Sequence, residues 1–317
     1  MADINREDIY IISRNSNWSE KGIDKVFKKE VYSDVTSWYK FLKILFISLG
    51  VGFATAGIVF FFAYNWADLN KFAKLGLIES LIIVLTLIVL FSKLNLSIKN
   101  IILTSASVMV GVLFAVFGQI YQTGANAYDF FLGWTLFITL WVIIANYAPL
   151  WLLYFVLINT TFVLYSQQVA QHWSENFIFT LLILMNTLFL VFSKIELKSI
   201  DKYKLPVWFS NILALTILFF ATIGIAIGIF DDYTTNFFIL ILITGVLYFI
   251  GIKHGLKSKS VFYLSIIPFS LIIILSALLI KISDGASMYF IISLFVIASV
   301  TFTIKKILDI QKRWRND

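Results

Sequence analysis

The sequence predicts an all-α polytopic membrane protein: a transmembrane helical bundle of about ten spans with both termini in the cytoplasm. Three observations predict it: long apolar runs, scarce charge, and a one-sided distribution of lysine and arginine. Of the 317 residues, 60% are hydrophobic and only 14% are charged, with a mean hydropathy of +0.90. A soluble chain is about 45–50% apolar and about 25% charged. A water-soluble fold has no interior large enough for this much apolar surface, so the bilayer is the solvent.

The first 40 residues read as a small cytoplasmic helical module, residues 1–40. Ser19 is placed to cap a helix, and Ile23, Val26, Phe27 and Val31 recur at helical spacing. Lys21, Lys25, Lys28 and Lys29 put basic charge beside that apolar stripe. Such a helix either lies on the inner leaflet or docks a partner, or it is a basic leader that fixes topology. The segment lacks the basic, apolar, small-residue order of a signal peptide, so no cleavage is expected.

The bundle, residues 41–304, holds stretches near the roughly 20 residues a span needs. They are Phe41–Tyr64, Phe72–Phe91, Ile98–Tyr121, Phe130–Ala145, Pro149–Tyr165, Phe177–Phe192, Pro206–Phe230, Phe237–Ile252, Val261–Ile280 and Ala286–Ile304. Only Asn146–Ala148 separates the fourth from the fifth, and Asn-Tyr-Ala-Pro predicts a tight turn there. A division into two five-helix halves, 41–165 and 175–304, would give them opposite orientations, as in inverted repeats. The two halves share no evident sequence similarity. The basic tail, residues 305–317, carries Trp314 among lysines and arginines and reads as an interfacial anchor.

Ten spans with a cytoplasmic N-terminus place 21 of the 25 basic residues on the inner side. Seven precede the first span, two, four and three fill the inner loops, and five lie in the tail. Lys71, Lys74 and Lys281 fall outside, and Lys43 lies within the first span. This is the positive-inside pattern of a cytoplasmic membrane. The net charge of +7 therefore points to anionic headgroups at the cytoplasmic face and not to nucleic acid. The outer segments hold Asp68, Asp129, Glu175, Asp231, Asp232 and Asp284, which simple sorting of acids to the translocated face explains.

Several chemistries are excluded. There is no cysteine, which removes disulfides, thiolate metal sites and a Cys nucleophile. His172 and His254 are the two histidines and fall on opposite faces, so no metal site and no Ser/His/Asp triad can be built on them. No phosphate-binding, dinucleotide-binding or metalloprotease motif is present. Neither cofactor nor metal is expected, and the chain is not expected to be an enzyme.

Small and weakly polar residues mark helix-packing faces. In the third span Thr104, Ser107, Gly111, Ala115, Gly118 and Gln122 follow at steps of three or four. Such a stripe admits a neighbouring helix, or lines a narrow polar path. Ser48, Gly52 and Ala56 form a similar stripe in the first span, and Gly224 and Gly228 stand at GxxxG spacing in the seventh. Asn159 and Asn186, near the middle of the fifth and sixth spans, read as interhelical glue.

The candidate ligand or proton site gathers around the outer ends of the early spans. Glu79 is the acidic residue that lies firmly within a span, seven residues after Phe72, or roughly 10 Å along the axis. An ionised carboxylate at mid-span costs about 2.5–3.5 kcal/mol on insertion scales, so Glu79 should face the bundle, pair with a donor or be protonated. Gln119, Tyr121 and Gln122 close the third span, and Asp129 and Trp134 open the fourth from the same side. Asp129 also suits a helix N-terminus, and Trp134 and Trp66 suit an aromatic belt.

Asn65-Trp66, the run Gly118-Gln119-Ile120-Tyr121-Gln122 with Ala125 and Trp134, and Trp18-Ser19-Glu20-Lys21-Gly22 together resemble the integral-membrane family known as domain of unknown function 2157. The resemblance covers about the first 150 residues. It implies a multi-pass protein of a bacterial inner membrane and implies no activity.

Three functions remain open. A small-solute transporter or carrier fits ten spans, little extramembrane mass and an outward-facing polar cavity near Glu79. A non-catalytic component, such as a receptor, an assembly factor or a subunit of an envelope complex with a membrane protein partner, fits the basic module and the sparse intramembrane charge. A lipid-modifying enzyme would need two or more convergent acids or a metal cluster, and the spans offer one carboxylate.

Overall fold

Each apolar stretch is an α-helix, because a backbone surrounded by hydrocarbon can satisfy its N–H and C=O groups only within its own segment. The computed structural model describes residues 6–28, 35–64, 69–121, 124–194, 205–282 and 287–316, and these contain no strand. The helices are α1 (Arg6–Arg14), α2 (Glu20–Val26), α3 (Val35–Tyr64), α4 (Lys71–Phe91), α5 (Leu96–Tyr121), α6 (Ala127–Ala145), α7 (Ala148–Gln168), α8 (Glu175–Lys194), α9 (Val207–Phe230), α10 (Thr235–Lys257), α11 (Val261–Lys281) and α12 (Ser287–Asn316). Ten of them, α3 to α12, are long and apolar enough to cross a membrane. The chain is a multi-span helical membrane protein.

Some boundaries differ from expectation. Helix α3 begins at Val35 and not at Phe41, and α12 runs on through Lys305 to Asn316, so the basic tail continues the last span. The expected turn between α6 and α7 is present. Asn146 stops α6 in the left-handed conformation (φ 39°), where Asn is better tolerated than most residues. Pro149 then sits in the first turn of α7, where its missing N–H is harmless.

The chain forms two compact units, residues 1–121 and 122–317. The break falls between Tyr121 and Gln122; the two possible five-helix halves would meet at the 167–175 connection. That connection is tightly packed. Trp173 sits among Phe162, Tyr165 and Phe177, with ring centroids 5.4–6.2 Å away.

In the first unit α5 is the hub, with α3 and α4 packed against it. Its small residues make this geometry: Ser105, Ala106, Ser107 and Gly111 are all buried. Ile78 of α4 and Val116 of α5 centre the core, with Ile58, Leu75 and Ile82 around them. The Thr55 and Ser105 hydroxyls bond across α3 and α5. Ahead of these spans, Ser19 caps α2 by accepting from the Gly22 N–H at 3.2 Å. Ile9 and Phe27 are buried in this module, and Tyr10 packs on Phe27 at 5.3 Å. Val31 lies outside the described residues.

In the second unit α6 and α7 form an antiparallel hairpin, α8 to α11 build the main core, and α12 covers α11. Ile183, Ile217, Ala221, Ile225, Phe237, Leu240 and Ile267 are central to that core. Gly224 and Gly228 lie in it at close helix contacts. A Cβ at Gly224 would come 2.7 Å from Phe179, and one at Gly228 would come 2.4 Å from Phe237 and 2.5 Å from the Asn176 Oδ1.

Candidate functional site

Within the first unit, Glu79 is exposed on α4, one residue beyond the fully buried Ile78. Among the described residues it has no hydrogen bond and no ion pair. Lys74 of the same helix is buried. Gln119 and Tyr121 are exposed at the end of α5, and Tyr121 packs on Phe117 at 4.7 Å. Asn65, Trp66 and Gln122 lie outside the described residues.

The packing stripes are only partly seams. Ser107 and Gly111 are buried and Thr104 and Gly118 half-buried, whereas Ala115 is exposed. In the first span, Ser48 of the stripe Ser48–Gly52–Ala56 is half-buried. Gly52 and Ala56 are exposed, and a Cβ at Gly52 would meet nothing within 4 Å. The contact with α5 runs through Thr55 and Ile58, on the side of α3 that also carries half-buried Ser48.

Asp129, in the second unit, acts locally. Its carboxylate accepts from the Asn126 N–H at 3.0 Å and closes the first turn of α6. That use combines N-terminal capping with the favourable helix dipole. Next to it the Tyr128 N–H donates to Gln168 Oε1 at 3.1 Å, which ties α6 to the end of α7. Trp134 is half-buried beside Phe131, at 6.1 Å.

Sequence reasoning missed a cavity of about 450 Å³ among α9, α10 and α11. Its origin lies in the α10–α11 seam. At one end the helices press together: a Cβ at Gly251 would lie 2.7 Å from Ile267, and one at Gly255 would lie 3.1 Å from Tyr263 and Leu264. At the other end Gly245 faces open space, with nothing within 4 Å of its Cβ position. Ile225, Phe238, Leu271 and Leu278 are among the large side chains that line the cavity. Exposed Phe238, Ile241, Gly245 and Leu271 mark its opening on the surface of the spans.

Behind the Tyr248 end of this cavity lies a chain of buried hydroxyls. The Tyr248 hydroxyl bonds to that of Ser270, which bonds in turn to Thr222, and Thr222 donates to the Leu218 carbonyl at 2.6 Å. These links tie α10, α11 and α9 together where the seam starts to open. Thr244 also lines the cavity, and its buried hydroxyl has no hydrogen-bond partner. At the opposite end, the Lys281 ammonium lies 4.8 Å over the Tyr233 ring, in a turn that also carries exposed Asp231 and Asp232. The GxxxG pair of α9 marks close contacts with Phe179, Phe237 and Asn176, and the open side of α10 has no sequence signal.

Comparison with curated proteins and with solved structures finds no match. Residues 27–151, from the end of the N-terminal module into the start of α7, match the family model described as "Predicted membrane protein (DUF2157)", and the family resemblance is thereby shown for that stretch.

Proposed function

We propose that the protein is a non-catalytic, multi-pass component of the bacterial cytoplasmic membrane, both termini inside, that binds an apolar or amphiphilic molecule arriving through the bilayer. The observation that supports it is the cavity among α9, α10 and α11, about 450 Å³ in volume and apolar along most of its wall. That volume falls in the range of roughly 300–1,000 Å³ common for small-molecule sites. Its mouth lies on helices that can span a membrane, so hydrocarbon, not water, adjoins it. The cavity lies outside the stretch that matches the family, so this role belongs to the second unit of this chain.

The test is photolabelling of the full-length protein in vesicles with an apolar diazirine probe. Adducts should concentrate on α10 and α11 around Gly245, and Gly245→Trp should remove them. Uniform labelling of all lipid-facing helices would refute the reading.

A second reading, a proton-coupled carrier of a small solute, has one specific observation in its favour: the Glu79 carboxylate lies within a span-length apolar helix. Glu79→Gln in proteoliposomes should then abolish pH-driven uptake. Undiminished uptake would end that mechanism.

A further inference from the structure

We infer that the α9–α11 cavity holds one hydrocarbon chain of a zwitterionic phospholipid, whose headgroup is read by the charges beyond the Tyr233 end of the cavity. This inference rests on the lateral-cavity reading above and adds the class of ligand. Moving a chain from the bilayer into the cavity gains little from burial, because lipid tails are as apolar as the cavity wall. Selectivity must therefore come from shape and from the charged groups beside Tyr233.

Behind the Tyr248 end lies a hydroxyl chain whose bonds are already made. Tyr248, Ser270 and Thr222 are bonded in series and end on a backbone carbonyl. A chain terminus can rest there without breaking any of those bonds. Along α10 the cavity lining runs from Phe238 to Tyr248, ten residues, or about 15 Å at about 1.5 Å per residue. That is half of a hydrocarbon core about 30 Å thick, the depth of one leaflet.

Beyond the Tyr233 end of the cavity stand both signs of charge. Lys281 ends α11 and lies over Tyr233, while Asp231 and Asp232 stand exposed in the same turn as Tyr233. Among the described residues neither carboxylate is ion-paired with Lys281. A phosphate meets the lysine, and a linked ammonium meets the carboxylates. An anionic headgroup satisfies the lysine but is repelled by the two acids, so the site prefers a headgroup with both charges.

The experiment is competitive retention in mild detergent. Full-length protein is mixed with equal amounts of chain-matched phosphatidylethanolamine and phosphatidylglycerol, and bound lipid is counted by native mass spectrometry. One phosphatidylethanolamine should be retained in preference by about fivefold, the order expected from a single charge contact at a membrane surface. Lys281→Gln should weaken retention of both lipids, and Asp231→Asn with Asp232→Asn should shift the preference toward phosphatidylglycerol. Gly245→Trp, which fills the cavity from α10, should remove both lipids, and Leu278→Trp should do the same from α11.

Equal or stronger retention of phosphatidylglycerol by the wild-type protein would overturn the headgroup assignment and leave the cavity reading standing. Retention unchanged in both folded tryptophan variants would overturn the cavity reading itself.

Discussion

Asn159 and Asn186 clasp each other across α7 and α8. The Asn159 amide donates to Asn186 Oδ1 at 3.1 Å, and the Asn186 amide donates to Asn159 Oδ1 at 2.8 Å. Each uses its second N–H on a carbonyl one turn back, Phe155 at 2.9 Å and Leu182 at 2.7 Å. All four amide protons are thus bonded at positions that are at most 9% exposed. Either Asn→Leu change leaves one amide without its partner. Each single variant should lose about 1–2 kcal/mol of unfolding free energy, and the double variant less than the sum. The coupling should lie near 0.6–1.7 kcal/mol, as for interhelical hydrogen bonds in membranes. Unfolding of the four proteins in mixed micelles measures it, and strict additivity would show that the clasp contributes nothing.

The close-approach glycines give a second prediction. Gly224→Ala sets a methyl against the Phe179 Cβ, which is fixed to the α8 backbone, at 2.7 Å. It should destabilise by about 1–3 kcal/mol, the usual range for overpacking. Gly52→Ala meets open space and should be neutral or gain up to about 1 kcal/mol from helix propensity. Thermal melts of the purified variants separate the two, and equal effects would contradict the packing described for α3 and α9.

Tyr248→Phe should remove one end of the hydroxyl chain beside the cavity. Ser270 keeps its bond to Thr222, so no buried donor is orphaned, and the expected loss is about 0.5–1.5 kcal/mol. Ser270→Ala breaks links to both α9 and α10 and should cost more. Equilibrium unfolding of both variants checks the order.

Topology is open to a clean labelling test, because the chain has no native cysteine. Single cysteines replacing Ser258 and Ser199 should be blocked only by a membrane-permeant maleimide when intact cells are treated. One replacing Thr234 should also react with an impermeant reagent. Labelling of position 199 from outside would invert the arrangement argued from the basic residues.

The sequence alone determined that this chain crosses a membrane as about ten helices, where the α6–α7 turn falls, that Ser19 caps a helix, and that Asn159 and Asn186 belong to helix contacts. Those features follow from hydropathy summed along a segment, from local backbone preference, and from the cost of an unbonded amide in lipid. Each is a property of a few neighbouring residues. Tertiary structure alone decided which faces meet: Thr55 in place of Gly52 on α3, the exposure of Glu79, the break at residue 121, and the opening beside Gly245. The reason is that lipid and helix interface are almost equally apolar, so a span need not be amphipathic and its sequence does not mark its buried side. Steric fit between helices distant in the chain makes that choice, and the α10–α11 cavity exists because the seam is tight at Gly251 and Gly255 and open at Gly245.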